Sequence, residues 1–576
     1  MFPNIKLADG PVRRAASALL LLAAFIAASP ALAGNYRLTV STAKVEIGGR
    51  TIEKMTIDGG IPGPTLRLTE GEDATITVVN ETDEKTSVHW HGLMLPGMMD
   101  GSPGFNGFTG IAPGASYTYT FNIRQSGTYW YHSHSGTQDQ SVLGAIVIEP
   151  AKPSPFRADR DYVVLLGDIT AEDSDQVLRN LKADPGYYNY NKRTLLDFFS
   201  DASTQGFGAA LRDRLDWGAM RMDPTDLADV TGYSFLVNGK TPDENETFIF
   251  RKGERVRLRL INGSAMTFFD VRVPGLKMTV VAADGNDVNP VPVDELRMGV
   301  AERYDVFVEP KEDIPYTLFA ESIDRMGHAR ATLASSAGNE GPVPERRPRA
   351  LLSMADMGMA HGADMSMAHG GHDMDGMDHD MSAMNASSDE ERPAGWASGF
   401  PADAKVLAYK DLRALRAHAD NSAPTRAIEM RLTGNMERYV WTLNDDRFSE
   451  AQPVRVRYGE RVRLTFVNET MMAHPMHLHG MFFELENGSG DRRPLKDTVI
   501  VPPGQSVSVV LTAREVGAWP LHCHLLYHMA SGMMTRFVVE PPGTAESNIT
   551  PDGAVVPLAV TGAGEAHGSH AGHGGM

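Results

Sequence analysis

His522-Cys523-His524-Leu525-Leu526-Tyr527-His528-Met529-Ala530-Ser531-Gly532-Met533 holds the only cysteine of the 576-residue chain. A thiolate, an imidazole and a thioether from one short segment match a blue-copper electron-transfer centre, trigonal His₂Cys with a weak axial Met. The segment supplies Cys523, His528 and Met533, so one histidine must come from elsewhere.

Four His-x-His pairs stand outward from this stretch: His89/His91, His132/His134, His477/His479 and His522/His524. Residues i and i+2 of a β-strand share a face, so each pair presents two imidazoles in one direction. Eight imidazoles from two ends of the chain can converge on several metal ions, and the Cys/Met site nearby selects copper. Cys523 lies between His522 and His524 and so points to the opposite face. A one-electron copper then sits on one side of the strand and a histidine cluster on the other, two peptide units apart. The missing blue-copper histidine is best taken as His474, three residues before His477.

The chain around these ligands has a β texture. Short alternating runs broken by Gly and Pro, such as Ala74–Asn80, Ser116–Phe121, Lys277–Ala282 and Ser506–Leu511, predict many short strands in a sandwich or barrel. Gly-Glu-Arg-Val-Arg-Leu occurs at 253–258 and again at 459–464, followed by Ile261-Asn262 and Val467-Asn468. A looser version runs from Gly71-Glu72 to Val79-Asn80, so three copies of one β-domain are expected. The predicted layout is a first domain over 34–155, a second over 156–337 and a third over 401–545. Ala171–Asp223 is rich in helix formers and reads as a helical insertion in domain 2. Residues 338–400, dominated by Pro, Gly, Met and His, read as a disordered or lightly ordered linker, and 546–576 as a mobile His/Gly-rich tail.

Residues 1–33 read as a signal peptide: Arg13-Arg14, an apolar run from Ala15 to Ala28, then the small-residue site Ala31-Leu32-Ala33. The arginine pair fits the twin-arginine route loosely, and the general export route stays open. No stretch is long enough for a stable membrane span. Lys6, Arg13 and Arg14 stand against Asp9 in this segment, so its removal takes the formal net charge from −19 to −21. That balance argues against nucleic acid and suits cationic partners. A lone cysteine in an exported chain cannot form an internal disulfide, which leaves metal ligation as its role.

His89-Trp-His91-Gly, Tyr131-His132-Ser-His134, His474-Pro-Met-His477-Leu-His479-Gly and His522-Cys523-His524…His528…Met533 resemble the four copper motifs of the multicopper oxidases, the family that includes laccases. The resemblance implies an all-β fold of three cupredoxin-like Greek-key β-barrels and four copper ions, with O₂ reduced to water at a trinuclear cluster. Carried onto this chain, it places the type 1 copper on His474, Cys523, His528 and Met533. The type 2 copper falls to His89 and His477. The type 3 pair falls to His91, His132 and His524 on one ion, and His134, His479 and His522 on the other. Asp100, eleven residues after His89, matches the family's acid near the type 2 copper and is the candidate catalytic proton donor. A second acid found in some members after the last type 1 histidine has Met529 in its place here.

Within the family, Tyr129-Trp-Tyr-His-Ser-His-Ser-Gly, Tyr187-Tyr-Asn-Tyr, Asn262-Gly-Ser-Ala-Met and Leu432-Thr-Gly-Asn-Met-Glu-Arg-Tyr are most similar to the copper-resistance protein A group of bacterial periplasmic oxidases. That group implies copper tolerance through copper binding and oxidation of Cu(I). Nine methionines and four histidines crowd 354–384: Met354, Met357, Met359, His361, Met365, Met367, His369, His372, Met374, Met377, His379, Met381 and Met384. Thioethers select Cu(I), so this run is expected to hold additional labile copper. Met471 and Met472 are candidates for a cuprous docking site, although Thr470 stands where a related pattern has aspartate. Three readings remain: an oxidase of Cu(I), a laccase-like oxidase of phenols or other small organics, and mainly a copper-sequestering protein. A complete trinuclear ligand set argues against the last as the sole role, and a monomer is expected.

Overall fold

The computed structural model describes residues 34–138, 141–220, 222–352, 400–401 and 403–542. The alternating runs form strands that sort into three consecutive pairs of sheets, an all-β chain of three cupredoxin-like domains with few helices. In the first pair, Arg50–Ile57, Asn35–Ile47, Asp73–Asn80 and Ser116–Asn122 make one sheet. Leu66–Thr69, Leu143–Glu149, Gly127–His132 and His89–His91 make the other. The middle and last pairs have six and five strands each.

The sequence repeat has a structural meaning. In each copy the repeated strand lies parallel to the opening strand of its domain: Asp73–Asn80 on Asn35–Ile47, Val256–Asn262 on Arg160–Ile169, and Arg461–Asn468 on Arg426–Asn435. The glycine before each strand has positive φ, +90° at Gly71, +85° at Gly253 and +81° at Gly459, a turn conformation that a β-carbon would oppose. The asparagine closing each strand is buried, and its carboxamide ties the following turn. Its Oδ1 accepts from the backbone N–H two residues on, Thr82, Ser264 or Thr470. Its Nδ2 donates to backbone carbonyls across the turn. This satisfies backbone groups that burial would otherwise leave unpaired.

The insertion forms three helices. α1 (Ser174–Ala183) is capped by Asp173, whose side chain accepts from Gln176 N. α2 (Leu195–Gln205) opens on a capping box of Thr194 and Asp197, and α3 (Phe207–Ala219) follows across Gly206. A fourth, α4 (Leu526–Ala530), lies between Cys523 and Met533.

Part of the expected linker is ordered. Residues 338–352 run along the middle domain because their basic side chains find acidic partners: Arg347 with Glu295, and Arg349 with Asp197 at 3.0 Å. The Leu352 N–H donates to Pro224 O at 2.7 Å. Residues 1–33, 353–399 and 543–576 lie outside the described residues, and with them the signal peptide, the tail and every candidate ligand from Met354 to Met384. No helix among the described residues is long and apolar enough to cross a membrane.

The domains share apolar cores. One cluster joins Trp130, Leu143 and Ala145 of the first domain to Leu165, Ile261 and Ala301 of the second. The largest runs without a break from the second domain into the third, and includes Trp441, Cys523 and Met533.

Candidate metal centre

Strand pairing assembles the histidines. His89 lies opposite His132, and His477 opposite His522, in antiparallel register. The His89–His91 pair lies wholly within a strand, whereas His134, His479 and His524 sit just beyond the strands that carry their partners. The rings still converge, since His89 stacks on His479 and His91 on His477, both at 3.8 Å between centroids. Domains one and three therefore face each other across the cluster.

The donor atoms group into sets that lie within 4.8 Å of one another: His91, His132 and His524; His134, His479 and His522; His89, His91 and His477; His89, Asp100 and His479; and His474, Cys523 and His528. In the last set, Cys523 Sγ is 3.5 Å from His474 Nδ1 and 3.8 Å from His528 Nδ1. The side chain of Met533 is fully buried. Its backbone closes the loop, accepting from Cys523 N and donating to His528 O, each at 3.1 Å.

Seven of the rings are held by their other nitrogen, which fixes both tautomer and direction. Nδ1–H groups donate to backbone carbonyls in His89 (Asp100 O, 2.8 Å), His132 (Ser133 O, 2.9 Å), His477 (Asp497 O, 2.8 Å) and His522 (Cys523 O, 2.9 Å). His479 Nδ1 donates to Asp100 Oδ2 at 3.0 Å, a carboxylate that also accepts from Ser102 Oγ at 2.6 Å. At the cysteine site His528 Nε2 donates to Asp229 Oδ2 and His474 Nε2 to Thr470 Oγ1, each at 2.7 Å. The Thr470 hydroxyl donates to Asn468 Oδ1, so it accepts from His474.

The remaining nitrogens test whether metal fits. Nε2 of His89, His132, His477 and His524, and Nδ1 of His91, are buried without a hydrogen-bond partner. Buried polar atoms left unpaired in this number are costly, and a shared cation removes the cost. Burial also pushes the pKa of His91, His132, His134, His474, His477, His479, His522 and His524 down, in His522 to about 4. Neutral imidazole is the ligating form. Burial pushes the Cys523 thiol up, so a cation is needed to hold it as thiolate.

The supporting residues were not legible in the sequence. Asp229 arrives from the middle domain and caps His528 Nε2, in a chain where the residue after His528 is Met529. Asp497 sits with Oδ1 3.3 Å from His91 Nε2 and is clamped by Arg303, again from the middle domain. Lys496 beside it is buried between Asp284 (2.9 Å) and Glu302 (3.0 Å). A charged Lys-Asp pair inside an apolar strand run was the one available signal for Asp497, and Asp229 had none. Met472 is buried in the core, with its carbonyl tied to Asn468, while Met471 is half-buried.

Three β-domains that bring one Cys/His site and eight clustered histidines together define a copper-dependent oxidoreductase. Family models for multicopper oxidases match residues 39–153, 194–338 and 421–543. The chain is 47% identical to Copper resistance protein A of Escherichia coli over 88% of its length and 92% of that protein's. It is 32% identical to Multicopper oxidase MmcO of Mycobacterium tuberculosis, covering 87% of this chain and 86% of that one. Among solved structures, Fet3p, a multicopper oxidase that functions in iron import, superposes with a TM-score of 0.64 at 18% identity, over 88% of this chain and 90% of its own. The chain belongs to the multicopper oxidase family, enzymes that couple oxidation of a reduced substrate to reduction of O₂.

Proposed function

We propose that the chain is an exported, periplasmic cuprous oxidase serving copper tolerance, with four resident coppers. The type 1 ion is held by His474, Cys523, His528 and Met533, and the type 2 ion by His89 and His477. The type 3 ions are held by His91, His132 and His524, and by His134, His479 and His522. Copper so held would supply one-electron acceptance at the type 1 site and, at the histidine cluster, reduction of O₂ by four electrons and four protons to two waters. Asp100, bonded to His479 and with Oδ1 3.4 Å from His89 Nδ1, is placed to deliver protons to that cluster.

The observation that carries the choice of substrate is the cover over His528. An organic donor needs contact with the outer edge of this imidazole. Here the ring is wholly buried, its Nε2 is capped by Asp229, and Trp441 stacks on its face at 4.0 Å. Tyr439 donates to the same Asp229 oxygen at 2.6 Å. A capping carboxylate attracts a cation and repels a phenolate. The Met/His-rich run 354–384 begins two residues after Leu352, which is bonded to Pro224, five positions before Asp229. Soft thioethers that follow in sequence two residues after this anchored Leu352 suit capture of Cu(I). Extra copper on that run and the relatives' copper-resistance names fit the same reading.

The test is O₂ uptake with chelator-buffered Cu(I) and with a phenol, for the full protein and for a 354–384 deletion. Cuprous turnover should fall at least tenfold on deletion while phenol turnover holds or rises. Intact cuprous turnover with altered phenol turnover would favour a laccase-like donor. Periplasmic fractionation with a mature N-terminus at Gly34 tests the location.

A further inference from the structure

The middle domain contributes no candidate ligand, yet it grips the backbone of the loop that joins Cys523 to His528. We propose that Asp168, in the strand Arg160–Ile169, is a positioning residue for the type 1 copper loop, acting through the turn Ser264–Thr267. The inference rests on the ligand assignment given under the proposed function.

Asp168 is buried, and its carboxylate takes three donors from one turn: Ala265 N at 2.7 Å, Met266 N at 3.1 Å and Thr267 Oγ1 at 2.7 Å. Asn262 holds the other side of that turn, donating to Thr267 O at 2.9 Å. The turn in turn presents two acceptors to the third domain. Ala265 O accepts from Leu526 N at 3.0 Å, and Met266 Sδ accepts from Tyr527 N at 3.5 Å. These are backbone N–H groups in the first turn of α4, which have no partner within the helix. α4 carries His528 and follows Cys523 by three residues, so its placement sets where the His528 imidazole meets the thiolate.

A buried carboxylate is expensive unless its charge is met. No basic side chain pairs with Asp168 among the described residues, and the turn's donors alone hold it. Burial raises its pKa despite those bonds. The carboxylate thus fixes the turn, the turn fixes two amides, and the amides fix the ligand loop. Partners one step removed from a metal ligand commonly change metal affinity by about 10–100-fold when lost.

The test uses copper-loaded full chain carrying Asp168→Asn, with Met266→Leu as an independent variant that removes only the sulfur acceptor. Blue absorption and its copper hyperfine splitting report the type 1 site. Chelator titration reports its copper retention, and the type 2 resonance reports the cluster. Hydrogen exchange at the Leu526 and Tyr527 amides reports the loop itself in copper-free protein. Expected are about tenfold weaker type 1 copper retention, altered hyperfine splitting, faster exchange at those two amides and an unchanged type 2 signal. Normal blue spectra and copper retention in both variants would overturn the proposal. So would parallel loss of type 1 and type 2 signals in Asp168→Asn with Met266→Leu normal, since that marks general damage to the domain. A wild-type protein with no blue absorption would instead overturn the ligand assignment.

Discussion

Replacing Arg303 by Met should loosen the place where all three domains meet. Arg303 is wholly buried, and Asp497 is 1% exposed. The guanidinium pairs with both Asp497 oxygens, Nη1 to Oδ1 at 3.0 Å, and also donates to Ala301 O and to Thr128 O of the first domain. At 3.0 Å and an effective dielectric of about 20 the attraction is about 5–6 kcal/mol. Stranding one partner of a buried pair typically costs about 3–5 kcal/mol. The stranded Asp497 would lie beside His91 Nε2, and its carbonyl would still carry His477 Nδ1, so two ligands from different domains lose a common support. In copper-free protein the expected loss is about 3–5 kcal/mol, read by denaturant unfolding followed at several probes. In loaded protein the cluster should release copper to chelator about 10–100-fold more readily. Arg303→Met with Asp497→Asn should recover a large part of the stability, because the uncompensated charge is gone. A single variant within about 0.5 kcal/mol of wild type, or a double variant no better than the single, would refute the reasoning.

Copper-free protein should lose stability as pH falls from about 6.5 toward 4. His91, His132, His134, His474, His477, His479, His522 and His524 have folded pKa values below their unfolded value of 6.5, so the unfolded chain binds more protons in that window. For His522 alone, at about 4 when folded, the loss at pH 5 is about 2 kcal/mol; bound copper should flatten the dependence in a chemical-denaturation series over pH. Asp100→Asn should slow O₂ reduction by about 10²-fold or more while single-turnover bleaching of the blue centre by substrate stays fast, as stopped-flow would read. Thr470→Val leaves His474 Nε2–H without its acceptor and should weaken type 1 copper retention by about tenfold, with type 2 signals unchanged by electron resonance.

The candidate ligands could be picked out because metal chemistry restricts residue type and spacing. Few side chains can bind copper, and an i, i+2 pair on a strand can be read from the letters alone. The repeat was legible for a similar reason: Gly71, Gly253 and Gly459 need positive φ, and Asn80, Asn262 and Asn468 each close a turn by the same carboxamide bonds. The helical insertion announced itself by composition. The supports of the ligands did not, since what holds a histidine's second nitrogen is often a backbone carbonyl, which any residue supplies. Where a side chain does the work its partner is remote, as with His528 and Asp229, 299 positions apart. The order of 338–352 was not legible either, because its Pro/Gly content hid two arginines, Arg347 and Arg349, that find acids on the middle domain.

Those remote supports share an origin. Arg303, Asp229 and Asp168 all belong to the domain that has no His-x-His pair; Arg303 and Asp229 meet the other domains directly, and Asp168 reaches the third domain through its turn. Arg303 steadies Asp497 beside the clustered histidines, Asp229 holds the His528 ring, and Asp168 shapes the turn that holds the Leu526 and Tyr527 amides just before His528. A cluster built between domains one and three needs their faces held in place. Five of its eight imidazoles, those of His89, His91, His132, His477 and His524, keep a buried nitrogen without a hydrogen-bond partner, and without copper that opposes the contact. The middle domain supplies what the ligands cannot: apolar cores continuous with both neighbours and buried ionic anchors of defined direction. Its freedom from ligands is what permits this, because residues around its contacts are selected for packing and hydrogen bonding alone.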